Sequence, residues 1–403
     1  MLFLHTGCSI MSQFLPALAS TDNVGLLSNG TRSTESILIH FPDEMARNFL
    51  TSLSFDESIH YCGASPETVF VDCGAFHYVE DHVPRFKRGG FVNAFTAMQE
   101  YQDRHLSRTN AAKKYLLCSP DHIISQDATD EEASYRTEWS LNVAASFLES
   151  CSNLPGDITP VAVVHGRTME ERSSMTTAYI EMGYRYIAFG GLVPISRNED
   201  VVLEQIAGID LASGLGPKKN SPLAIAQAAG CRTHMFGLNS PDWYRWWRRL
   251  DVTSFDGSKL SQEGARNGII WRLEPFDVND PPVNANGLYS KVKIKQYQSQ
   301  REWVEGHNGL HRLELGANSD FDLSAPGWAH FLTTQCTNPT CKAFSSPHIA
   351  DPRTTGSIDH NMGRTVINAH AFSEIMRRID LLIETAKESD SDDVRYNPWR
   401  MLV

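Results

Sequence analysis

The chain has no window approaching about 18 uncharged apolar residues, so no membrane-spanning helix is expected. It contains neither a GxGxxG nor a Walker pattern, which removes the usual phosphate cradle of a doubly wound nucleotide-binding sheet. Positive charge is in deficit. Lys and Arg number 36 against 48 Asp and Glu, for a net charge of −12. A protein coated in nucleic acid normally needs a basic surface, so any such contact must be local. Three basic clusters survive: Arg85-Phe-Lys87-Arg88, Arg245-Trp-Trp-Arg248-Arg249 and Lys291-Val-Lys293-Ile-Lys295. Each reads equally well as a solvated face. Cysteine is sparse, with 8 in 403 residues, and only Cys336 and Cys341 are close in sequence. That excludes a disulfide framework and suits a reducing compartment. Met1–Ser20 is apolar and ends near Ala17-Leu18-Ala19, but it lacks a basic start and is broken by His5, Thr6 and Ser9. It reads as a cytoplasmic N-terminal segment rather than a signal peptide.

What is present is a repeated strand-then-helix pattern from about residue 68 to 256. Thr68–Asp72 is a buried-type strand ending in an aspartate, followed by Cys73-Gly74. His122–Ser125 reads as a strand ending near Asp127, and Ile158–Val164 as one ending at His165-Gly166. Tyr184–Phe189 ends at the paired glycines Gly190 and Gly191, where a ligand can approach backbone closely. Val252–Phe255 ends at Asp256-Gly257. Thr168-Met-Glu-Glu171 is a capping box, and Ser240-Pro241 is an N-cap followed by proline at N1. The pattern predicts an α/β protein, a (β/α)₈ barrel whose polar residues share the C-terminal face of the sheet. Taken singly, Asp256 is an ordinary turn aspartate before glycine. Taken with Asp72 it offers two carboxylates at one face, the provision needed to cleave a glycosidic bond.

After residue 268 the pattern breaks. Glu274–Asn286 is rich in Pro, Asn and Asp, and Cys336-x₄-Cys341 with the helix-borne His370 suits a structural zinc site. Ordinary free cysteines and a polar histidine are the alternative. The expected organisation is 1–60 as an N-terminal segment packed on the barrel and 61–275 as the catalytic barrel core. Residues 276–375 follow as a zinc-binding insertion with the final barrel elements, and 376–403 as a C-terminal helix and tail.

The ordered series Val-Asp72-Cys-Gly-Ala-Phe76, Ser-Gln-Asp127, Val-Val-His165-Gly166, Phe-Gly190-Gly191-Leu192, His234-Met-Phe-Gly237-Leu-Asn-Ser-Pro241, Asp251-Val-Thr-Ser-Phe-Asp256 and Arg266-Asn267-Gly268 resembles the tRNA-guanine transglycosylase superfamily. The match runs over roughly residues 68–270, and the Cys/His cluster extends it to about 375. The resemblance implies a barrel with an inserted zinc subdomain and an enzyme that exchanges guanine in a polynucleotide for a 7-deazaguanine. Carried over residue by residue, it implies Asp256 as nucleophile and Asp72 as general acid/base. Asp127, His165, Gly190 and Gly191 would contact the base, Lys259 and Arg266 the nucleic acid, and Cys336, Cys341 and His370 would hold Zn²⁺. The residues also depart from the family's tRNA-acting pattern. Cys73-Gly74-Ala75 stands for Ser-Gly-Gly, His165 for a glutamine, Gly257-Ser258-Lys259-Leu260 for a Leu-Pro-Thr-Arg type stretch, and Asn338 for a middle cysteine. With the carboxylates kept and the tRNA-seating parts changed, the chain looks more like the DNA-guanine transglycosylase branch, which inserts preQ0 or a relative into DNA. A tRNA-acting enzyme, a non-catalytic family subunit and a barrel hydrolase of small glycosides are the competing readings. A homodimer or a helper protein would fit the resemblance.

Overall fold

The computed structural model describes residues 12–17, 41–54, 66–87, 89–107, 112–154, 156–211, 217–267, 269–293 and 358–388. Eight strands form one parallel sheet: β1 (Gln13–Pro16), β2 (Asn48–Ser52), β3 (Thr68–Asp72), β4 (Lys114–Cys118), β5 (Asp157–Val164), β6 (Tyr186–Phe189), β7 (Arg232–Met235) and β8 (Ser254–Gly257). Their order is β1-β8-β7-β6-β5-β4-β3-β2. A parallel bridge between Ala17 and Leu50 brings β1 against β2, so the sheet curls into a nearly closed barrel.

Helix α1 (Asp43–Arg47) precedes β2, and α2 (Ala94–Tyr101), α3 (Asp130–Ser152), α4 (Met169–Met182), α5 (Glu199–Ala207), α6 (Pro222–Ala228) and α7 (Pro241–Arg249) fill the crossovers. Their starts are set by local chemistry. Asn93, Thr129, Thr168, Asn198, Ser221 and Ser240 each accept a hydrogen bond from a first-turn backbone N–H, satisfying donors that the helix leaves open.

The period-two alternation of a strand sorts side chains to two sides of this barrel. Leu15, Leu50, Phe70, Leu116, Val161, Val163, Tyr186 and Ala188 pack together in one cluster. These are the inward positions. Their neighbours Phe14, Phe49, Val69, Val71, Leu117, Ala162, Val164, Ile187 and Phe189 belong to the larger cluster that the helices cover. Asp72 has the parity of Phe70, and Asp256 is opposite in parity to the outward Phe255. Both carboxylates are therefore directed to the barrel interior at its C-terminal end.

Beyond β8, the short α8 (Lys259–Ser261) leads to an antiparallel pair, β9 (Ile269–Leu273) and β10 (Tyr289–Lys293). The long α9 (Ile358–Glu388) then returns to the barrel. Phe372 on α9 meets Phe14, Phe255 and Trp271 edge-on. Asn368 donates to Ile269 O and accepts from Trp271 N, and Asp380 pairs with the buried Arg248.

Three sequence expectations change. Residues 13–16 and 48–52 are barrel strands themselves, so the barrel does not begin at 61. The fourth strand is Lys114–Cys118, and His122–Ser125 is irregular. Helix α9 runs unbroken across the expected boundary at 375/376. Cys336 and Cys341 lie outside the described residues, as does the segment around them.

Candidate active site

A cavity of about 880 Å³ opens at the C-terminal end of the strands. Asp72, Asp121, His165, Gly190, Gly191, Phe236, Gly237, Asp256 and Lys259 line it, with Phe76 at its edge. Of the site residues expected from sequence, the structure thus gathers Asp72, His165, Gly190, Gly191, Asp256 and Lys259. Asp127 is not among them. It is exposed, in a turn before α3, and the hydrogen bond from Ser125 holds its carboxyl below the usual range.

The carboxylate that does reach the cavity between β4 and β5 is Asp121, which is 3% exposed. Its Oδ1 accepts from Cys73 Sγ at 2.8 Å, and its Oδ2 lies 2.5 Å from His165 Nε2. The signal for it was present in the sequence. Lys114–Cys118 carries the apolar run Tyr-Leu-Leu-Cys, and Ser119-Pro120-Asp121 directly follows. Placing the strand at 122–125 moved the expected strand-end aspartate six residues downstream.

Asp256 is 6% exposed and anchored through one oxygen. Oδ1 accepts from Gly237 N at 2.9 Å and contacts His234 Nε2 at 3.3 Å. Oδ2 has no hydrogen-bond partner among the described residues. His234 is itself fixed by Ser254 Oγ at 2.8 Å and lies against the Phe70 ring, centroids 4.4 Å apart. Gly237 has φ +74°, and a side chain there would collide with Val193, so the N–H that holds Asp256 comes from a position suited to glycine.

Asp72 accepts from Ser52 Oγ and Gly74 N, each at 3.1 Å, through Oδ2. Burial, the first cause, raises its pKa to about 7. The charges of Asp121 and Asp256 add to the rise, and the two hydrogen bonds oppose it. A carboxyl near 7 can give and take a proton at neutral pH.

His165 is 2% exposed, and its Nδ1 has no hydrogen-bond partner among the described residues. A Cβ on Gly190 would stand 2.6 Å from His165 Cε1, so the glycine is what lets β6 pass the imidazole. Behind both lies the buried Arg172, which donates to Gly190 O at 2.9 Å. Phe236 and Phe76 line the cavity, and Phe76 is 66% exposed.

Lys259 is half-buried at the rim. Burial first, then the nearby Lys291, lowers its pKa from the ordinary lysine value. Glu263, another cavity residue, takes Lys291 Nζ at 2.6 Å and Trp271 Nε1. The side chain of Arg266 lies outside the described residues. His370 is buried on α9, and among the described residues no group of three His, Cys, Asp or Glu side chains could hold a metal.

The arrangement supplies one carboxylate held by a single oxygen, a second poised to carry a proton, and a third in a buried polar cluster, all lining one cavity. No family model matches the chain. Over 209 residues it is 26% identical to a protein named DNA-guanine transglycosylase from Salmonella montevideo, a match covering 49% of this chain and 42% of that protein. The chain therefore spans less than half the length of the curated relative it matches. At 26% identity the similarity to that protein is distant, and it agrees with the resemblance drawn from the residues.

Proposed function

We propose that the chain is a guanine transglycosylase that replaces guanine in a polynucleotide, DNA in preference to tRNA, with a 7-deazaguanine such as preQ0. The observation that carries the reading is the pairing in one cavity of Asp256, anchored by Gly237 N–H, with Asp72, whose pKa is raised to about 7. Asp256 Oδ2 attacks C1′ of the sugar (deoxyribose in DNA) as the C1′–N9 bond breaks. The sugar is held as an aspartyl ester, and neutral Asp72 gives its proton to the leaving guanine. The incoming base then yields its N9 proton to Asp72. Its nitrogen takes C1′, and Asp256 leaves as a carboxylate. Protons and bonds balance over the two halves.

Asp121, rather than Asp127, is the carboxylate we assign to the donor edge of the base, since a buried acceptor selects bases that can satisfy it. His165 Nδ1 and the backbone at Gly190 and Gly191 complete that edge, and Phe236 gives the ring a face to lie on. The target nucleotide must leave its stack to reach this depth. Lys259, and Arg266 by sequence, are assigned to the phosphates beside it. Cys336, Cys341 and His370 are assigned to a structural Zn²⁺, which would hold the chain between β10 and α9. Only His370 falls among the described residues.

DNA is preferred because Gly257-Ser258-Lys259-Leu260 departs from the tRNA-seating pattern and because the relative is named for DNA guanine. Incubation of the purified chain with labelled guanine or preQ0 and either plasmid DNA or bulk tRNA tests the reading. Label in DNA supports it, label in tRNA alone reassigns the polymer, and label in neither removes the activity.

A further inference from the structure

The connection from β3 to α2 carries a surface that base exchange at the cavity floor does not use. From Asp72 the chain passes Phe76 at the cavity edge and then forms a short antiparallel hairpin. Arg85 and Phe91 bridge across it, and Val92 N donates to Pro84 O at 2.9 Å. Phe86 turns inward against the core. Phe91 does not. It is 54% exposed, and Phe95, in the first turn of α2, is 68% exposed. The Arg85 guanidinium lies 4.5 Å over the Phe91 ring. Arg85 and Lys87 are both exposed, and residues 84–92 include no acidic side chain. Arg85 pairs with no carboxylate among the described residues.

Two exposed rings and two exposed cations thus stand on the loop face that also bears the cavity, in a chain of net charge −12. Apolar rings in that position gain little in the isolated molecule. A polynucleotide strand matches both features at once, because every base has a face to stack and every nucleotide a phosphate. Extruding one nucleotide also leaves its neighbours partly unstacked, so that ring faces become available beside the target.

We propose that the hairpin at 84–92, with Phe95, is a docking platform for the unpaired strand flanking the exchanged nucleotide. Phe91 stacks a base, and Arg85 and Lys87 meet phosphates. The proposal rests on reading the cavity as a base-exchange site.

The test uses the full chain and fluorescein-labelled single-stranded guanine-containing oligonucleotides, one deoxyribo and one ribo, with anisotropy read across a salt series. Arg85→Glu/Lys87→Glu is expected to weaken binding tenfold or more. It should also reduce the salt slope by about 0.7 for each phosphate that is no longer neutralised. Phe91→Ser is expected to cost about tenfold, with Phe91→Tyr restoring affinity. Free-guanine binding by calorimetry should stay at the parent value in all three. Oligonucleotide affinity within twofold of the parent in the charge-reversal variant would overturn the proposal. So would a parent dimer that Phe91→Ser dissociates without changing oligonucleotide affinity, since a second copy would then be the occupant. If the hairpin variants lose oligonucleotide binding but the parent exchanges no base, the transglycosylase reading fails and this surface stands. If exchange proceeds and the variants bind as the parent does, the reverse holds.

Discussion

His165 Nε2 lies 2.5 Å from Asp121 Oδ2, and the thiol of Cys73 occupies the other oxygen of the same carboxylate at 2.8 Å. A buried carboxylate with both oxygens engaged is held in one orientation, and an amide in its place keeps one acceptor and leaves one of the two donors unpaired. Replacing Asp121 by Asn is expected to weaken binding of free guanine or 7-deazaguanine by about 5–150-fold, the range for an unsatisfied buried polar group. Asp127→Asn, in its exposed turn, is expected to leave binding unchanged. Isothermal titration of both variants checks this. Weakened binding in Asp127→Asn with Asp121→Asn unaffected would restore the assignment made from sequence.

That pair also marks how far the sequence could be read. The inward parity of Asp72 and Asp256 follows from strand alternation and the aspartate-then-glycine ending, both visible in one dimension. The helix starts at Thr168 and Ser240 follow from side-chain oxygens placed before open backbone donors. Asp121 was obscured because both Lys114–Cys118 and His122–Ser125 read as short apolar runs, and only parallel pairing with β3 and β5 decides which is the strand. The strands β1 and β2 were missed for a related reason. A four- or five-residue strand is too short to show a period, and its identity comes from neighbours far along the chain, Ser254–Gly257 for β1 and Thr68–Asp72 for β2.

Asp72 gives a prediction with a definite sign. Its folded-state pKa is raised to about 7, so the neutral acid predominates below that pH. In the proposed base exchange the first half-reaction needs that acid. The kcat/KM for a guanine-containing polynucleotide is therefore expected to fall tenfold per pH unit above about 7 and to level below it. Asp72→Asn is expected to remove this limb from the residual activity. A pH–rate profile of both proteins is the measurement.

The same shift links to stability in the opposite direction. A carboxyl whose folded pKa lies above its unfolded value contributes most below the unfolded pKa, and the contribution is lost as pH rises toward 7. Asp72→Asn is therefore expected to unfold at a higher temperature than the parent at about pH 8. The gain is on the order of 1–2 kcal/mol after discounting for partial exposure, and the difference should shrink toward about pH 4. Paired thermal melts at the two pH values check it. A variant less stable than the parent at the higher pH would mean that the Ser52 and Gly74 hydrogen bonds outweigh the charge repulsion.

Phe70 supports the site from beneath. It is fully buried inside the barrel and touches His234, Tyr186 and Phe236. Phe70→Ala is expected to cost about 3–5 kcal/mol of stability by urea unfolding. It should also lower the rate of exchange at temperatures where the protein stays folded, because His234 then loses the ring that aligns it with Asp256. Full activity in the folded variant would show that Ser254 alone positions the imidazole.

Base exchange by this route turns on a bond between Asp256 and the sugar. Asp256 lines the cavity with Oδ1 tied to Gly237 N–H, and Oδ2 has no hydrogen-bond partner among the described residues. The direct measurement is to mix the parent and Asp256→Asn with a guanine-containing oligonucleotide, denature before the incoming base is added, and determine intact masses. A parent species heavier by the oligonucleotide less guanine, mapped to Asp256 and absent from the variant, is the expected result. An adduct that survives in Asp256→Asn, or base exchange by that variant at the parent rate, would contradict the assignment.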